Sequence, residues 1–197
     1  MILVGIFAAV WVYLLTVLTR AKLTFFKFLA GSVGMFLLLM LTVRPMLTTR
    51  LAQAVAACAG LFGDISSMFE SYARYSILFI QHGGEAISLI VDYECSGVIE
   101  ILAFLSLLWF FPLYGATEKA ILTIGGVAWI FVSNVLRLTL ICIIVYVFGN
   151  NAFFFAHAVF GRIFFYALTI ILYFNVFTRP QVMRQKVGKF TYGTDSL

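Results

Sequence analysis

Cys95, Arg137 and His157 stand in or against long apolar runs, far apart in the chain. Ionisable side chains at membrane depth are costly, so each is a functional candidate by default. Cys95 lies in Tyr93-Glu94-Cys95-Ser96-Gly97, where an extended segment meets a helix. A helix N-terminus favours thiolate. Asp92, Glu94 and Glu100 act the other way, because nearby negative charge raises a thiol pKa. A reactive Cys95 therefore needs a cation nearby, and Arg137 or His157 can supply it. Arg137 costs at least about 2.5–3.5 kcal/mol near the bilayer centre. Asn134 and Ser133 precede it on the same helical face. Arg137 either pairs with Glu100 and ties two spans together, or stands as a fixed donor to an oxyanion or thiolate in a water-poor site. His157, early in the last apolar run, has the type and depth of a general acid or base beside a thiol. Arg162 pairs with Glu100, Asp92 or Glu94, or snorkels outwards. A nucleophile, a proton carrier and an oxyanion donor together make acyl-transfer chemistry. Cys58 and Cys142 have apolar neighbours and read as packing residues. His82 reads as a solvated turn residue.

The elements that must position these groups are membrane helices. The chain has 197 residues, of which 63% are hydrophobic and 11% charged. Its mean hydropathy is +1.08. Soluble domains run at about 45–50% apolar and about 25% charged. An ordinary soluble domain, a disordered chain and a disulfide-rich secreted module are therefore excluded. Three cysteines without a close pair argue against a disulfide framework or a thiolate zinc site. Two widely separated histidines argue against a metal cluster, and no cofactor is expected. The net charge of +5 is carried at the ends of apolar runs, where it reports topology rather than nucleic-acid binding.

Hydropathy predicts an all-α polytopic protein in one integral domain over residues 1–197. About five spans are expected, near 1–19, 25–43, 97–113, 120–148 and 152–178. Arg20, Lys22 and Lys27 follow the first run, and Arg179, Arg184, Lys186 and Lys189 follow the last. The positive-inside rule then predicts an outside N-terminus and a cytoplasmic tail over 179–197, near anionic lipid. Residues 44–95 form an outer-face segment. Leu51, Val55, Cys58, Phe62, Ile65 and Phe69 recur at helical spacing and predict an amphipathic helix on that surface. Tyr75–Ile80 and Ala86–Val91 flank Gly83-Gly84 and predict a short β-hairpin before the third span, with a re-entrant helix pair as the alternative. This topology brings Cys95, Arg137 and His157 towards the outer face.

Three motifs in this order resemble the exosortase/archaeosortase family of membrane transpeptidases. They are Cys95-Ser96-Gly97 after the hairpin, Asn134-Val135-Leu136-Arg137 inside a later span, and His157-Ala158-Val159-Phe160-Gly161 opening the next. The short length looks most like the compact exosortase G type of Gram-positive bacteria. The resemblance implies Cys95 as nucleophile, His157 as acid/base and Arg137 as stabiliser of the intermediate, with Ser96, Gly97, Asn134, Glu100 and Arg162 in support. It implies a plasma-membrane enzyme open to the extracellular face. The partner would be the C-terminal sorting-signal helix of a secreted protein. That signal would be cleaved and the new C-terminus passed to an envelope acceptor that the sequence does not name. Two readings compete: a cysteine protease without transfer, and a transporter or assembly factor in which Arg137, Glu100 and His157 form a polar relay.

Overall fold

The computed structural model describes residues 2–82 and 85–185. Helix α1 (Ile2–Arg20) ends on a basic residue, which suits the negative end of a helix. Helix α2 (Thr24–Thr42) runs into α3 (Arg44–Ser66) with only Val43 between them. Pro45 follows at once. It occupies the first turn of α3, where its missing N–H costs nothing. Ser67 caps α3 in the left-handed conformation, its N–H bonded to Gly63 O at 2.7 Å.

Three strands follow: β1 (Phe69–Tyr72), β2 (Ile77–His82) and β3 (Glu85–Ile90). They form one antiparallel sheet in that order, with Phe69 opposite Ile80 and Leu78 opposite Leu89. The expected hairpin is β2–β3; its Gly83-Gly84 connection lies outside the described residues. Strand β1 departs from the helical stripe that predicts Phe69 on the amphipathic helix. It pairs instead with β2 and buries its ring in the core.

Helix α4 (Val98–Phe110) has 13 residues and stops ahead of Pro112. At 1.5 Å per residue it is about 20 Å long, shorter than a bilayer core. Helix α5 (Ala116–Phe148) has 33 residues and is about 50 Å long. Glu118 starts it by accepting the Gly115 N–H at 2.9 Å. The last helical rod, Asn150–Val182, contains a π segment at Phe155–Phe160, helix α6 (Gly161–Tyr173), a second π segment at Phe174–Thr178 and the start of α7 (Arg179–Gln185). Of the basic tail, Lys186 and Lys189 lie outside the described residues.

The span pattern differs in part from the expected one. Among the described residues, four helices are long and apolar enough to cross a membrane: Thr24–Thr42, Arg44–Ser66, Ala116–Phe148 and Asn150–Val182. The first expected span is the apolar helix α1, the third is the shorter helix Val98–Phe110, and the expected surface helix is long enough to span. Its packed face also differs. Ala52, Val55, Ala56, Ala59, Gly60 and Gly63 are buried, while Leu61, Phe62 and Ile65 point outwards. The reason is close approach. A Cβ on Gly63 would strike Phe69 O, so only small residues fit under the sheet.

Two apolar cores result. One joins α3, the sheet and the C-terminal half of α5, including Val135, Leu138, Ile141 and Val145. The other joins α4, the N-terminal half of α5 and the last rod through Phe104, Ile130 and Phe165. Helix α5 belongs to both, and the loop before α4 sits where they meet.

Candidate active site

The chain reaches the site through the turn Val91–Gly97. Asp92 Oδ1 accepts the N–H groups of Glu94 and Cys95 at 3.0 and 3.1 Å, folding the turn around its own carboxylate. Ser96 Oγ donates to Tyr93 O at 3.1 Å. Gly97 then takes φ +76° and caps α4. An L-residue is strained there, and a Cβ would sit 3.4 Å from Asn134 Nδ2. That amide donates to Cys95 O at 2.6 Å. Asn134 is thus the clamp that fixes the cysteine backbone to α5.

Cys95 is buried, and its Sγ lies 3.2 Å from His157 Nε2, 62 positions later. His157 sits inside the first π segment, a widened turn common at functional sites. Phe153 stacks on its ring, centroids 5.9 Å apart. Gly161 lets the rod approach α5, since a Cβ there would meet Ile141 Cδ1 at 2.7 Å.

Burial pushes the Cys95 thiol up to about 11. Arg137 pulls it back, and Asp92 and Glu94 add to the rise. The resting group is therefore a neutral thiol, able to donate to Nε2 when the imidazole carries its proton on Nδ1. Arg137 is buried and sits over the Phe165 ring at 5.7 Å. Among the described residues it makes no ion pair with Glu100 within 4 Å, so the tie between spans is not formed. Arg137 Nε and Glu100 Oε2 are both buried without a hydrogen-bond partner. Arg162 pairs instead with Glu94 at 3.7 Å across the rim, both side chains about half exposed.

One cavity of about 310 Å³ is bordered by Cys95, Glu100, Arg137, His157 and Arg162, with Tyr93, Glu94 and Phe165 among the other residues of its wall. The structure therefore gathers all three residues expected to be catalytic, and two of the five expected to support them, around one space. Ser96, Gly97 and Asn134 shape the turn behind it. Cys142 is buried in the apolar core, and Cys58 packs against that core.

The sequence model of transmembrane exosortases matches residues 2–174. The chain belongs to the transmembrane exosortase family. The match takes in every element from α1 into the second π segment, the cavity included. At family level it supports a membrane-embedded sorting transpeptidase of the cysteine class. Comparison with curated proteins and with solved structures gives no match.

Sequence reasoning read Asp92 in this exosortase as a charge near the thiol and a candidate partner of Arg162, not as the group that folds the turn, and gave Phe165 no part. Asp92 had a readable signal: an aspartate three residues before the cysteine, in a turn, can cap its N–H groups. Phe165 had none, being one of 22 phenylalanines.

Proposed function

We propose that this exosortase cleaves C-terminal sorting signals of exported proteins through a thioester on Cys95. His157 takes the thiol proton as sulfur attacks the scissile carbonyl. Arg137 borders the same cavity as the thiol and stabilises the oxyanion that develops. The intermediate collapses, the peptide C–N bond breaks, and the departing amine takes the proton from His157. A nucleophile of the envelope then attacks the thioester carbonyl, giving its proton to His157 and returning the thiol. The observation that carries this reading is the 3.2 Å approach of Sγ to Nε2 in a cavity that also holds a buried guanidinium.

Cys95 needs proton transfer at the moment of attack, because its thiol is not ionised at rest. Arg137 is worth most in such a site, since a fixed charge acts strongly where water is scarce. The substrate would present a transmembrane helix and a basic tail. The site would face the outside of the plasma membrane, and the compact exosortase G type is the subtype proposed.

The test is a comparison of envelope proteins bearing a C-terminal helix and basic tail in cells with wild type, Cys95→Ala or Cys58→Ala. Mass spectrometry of their C-terminal peptides should find intact tails only with Cys95→Ala. The mass added at the new C-terminus reads transfer against hydrolysis. Loss of tails in normally accumulating Cys95→Ala refutes the thiol mechanism.

A further inference from the structure

Among the described residues, the cavity wall holds two polar atoms with no hydrogen-bond partner. Glu100 Oε2 and Arg137 Nε are both shielded from water and both unbonded. The residues border the same space as the thiol. They do not satisfy each other, since no ion pair within 4 Å joins them among the described residues. A buried polar group without a partner is costly, more so if charged, so such atoms in a native protein call for an explanation, and a bound group supplies one. One atom belongs to an acceptor and the other to a donor-only group. Their joint complement is a segment with one N–H and one C=O close together, as the N–H and C=O of a single backbone residue are.

We propose that Glu100 is a substrate-binding residue that accepts the backbone N–H next to the scissile carbonyl, while Arg137 donates to the carbonyl side. This rests on Cys95 being the nucleophile. Glu100 lies in the first turn of α4, immediately after the Cys95 turn. The hydrogen bond it offers is therefore held in register with the sulfur by the short stretch Ser96–Ile99. The terminal torsion of a glutamate is broad and two-fold, so either carboxylate oxygen can be turned to the cavity without moving the helix. The bond would form away from water, where a charge-assisted contact is strong. The site would accordingly select chains with a free backbone N–H at that position and reject those in which it is replaced.

The test uses the full-length protein in detergent and two probes. One is acetyl-alanyl chloromethyl ketone, which alkylates a thiol with loss of chloride. The other is its ester twin, with oxygen in place of the alanine N–H. Iodoacetamide reports the intrinsic reactivity of Cys95, with Cys58→Ser/Cys142→Ser as background. In that protein the amide probe should label Cys95 about tenfold or more faster than the ester. Glu100→Leu should bring the ratio close to one, with the iodoacetamide rate reporting any change in the thiol itself. Glu100→Gln keeps an acceptor oxygen and should retain most of the preference, which separates a lost hydrogen bond from a lost fold. A wild-type ratio near one, or a ratio that survives Glu100→Leu, overturns the assignment of Glu100 and leaves the thiol mechanism standing. Failure of both ketones to label Cys95 at all overturns both.

Discussion

At the scale of single residues, the resting charge of Cys95 decides how the site can work. Burial holds its thiol at about 11, against the partial relief that Arg137 provides. An ordinary thiol ionises near about 8.5. The sign is an upward shift, so thiolate gains population only well into the alkaline range. Iodoacetamide labelling of Cys95 should therefore keep accelerating up to about pH 11 rather than level off near about pH 9. Arg137→Gln removes the downward pull and should slow labelling at every pH below that range. A profile that is flat above neutrality would mean a preformed thiolate, and a different division of work with His157. Much at this scale was legible in the sequence because residue type carries it. A thiol, a guanidinium and an imidazole in apolar runs are conspicuous. The pairing of Arg137 was not legible. Sequence offered Glu100 as its ion partner, whereas geometry puts the guanidinium over Phe165 and leaves its Nε unsatisfied.

At the scale of elements, the sheet is held by a stripe of small residues on α3. Gly63 lies against Phe69 O and, at 2.9 Å for an added Cβ, against the Phe69 ring. Ser71 Oγ donates to Ala56 O at 2.7 Å on the same seam. Gly63→Leu should push β1 away and cost about 1–3 kcal/mol by overpacking. Ile65, 85% exposed, gives the matched control: Ile65→Ala should change little. Thermal unfolding in detergent, followed by static light scattering, checks both. The hairpin was readable from Gly83-Gly84 between β-prone runs. The face of α3 was misread because large apolar residues weigh most in a periodicity argument. Here close packing selects Ala and Gly, and the large side chains face outwards.

At the scale of the whole molecule, α5 sets the layout. Its length of about 50 Å exceeds a hydrocarbon core of about 30 Å. Arg137 lies about 31 Å from its start, at 1.5 Å per residue. The N-terminal half packs in the core of α4 and the last rod, the C-terminal half with α3 and the sheet. Lys27 and Lys119 share one cavity at the far end, and Gln181 lines another beside Phe28 and Pro112. Glu70 lies at the sheet end with Tyr146. The two ends should face opposite compartments. In a Cys58→Ser/Cys95→Ser/Cys142→Ser background, a membrane-impermeant maleimide should label Glu70→Cys in intact cells. Gln181→Cys should react only after permeabilisation, and the reverse pattern would invert the topology.

The widened turn at Phe155–Phe160 carries one more residue per loop of helix than its neighbours. Taking one residue out between His157 and Gly161 would let that stretch relax to ordinary helix and change the height and phase of the imidazole on the rod. The contact with sulfur is thus encoded by a count as well as by chemical identity. Two chains could share every catalytic letter and differ by one position in that interval. Only the one with the right tally would bring its base to the thiol.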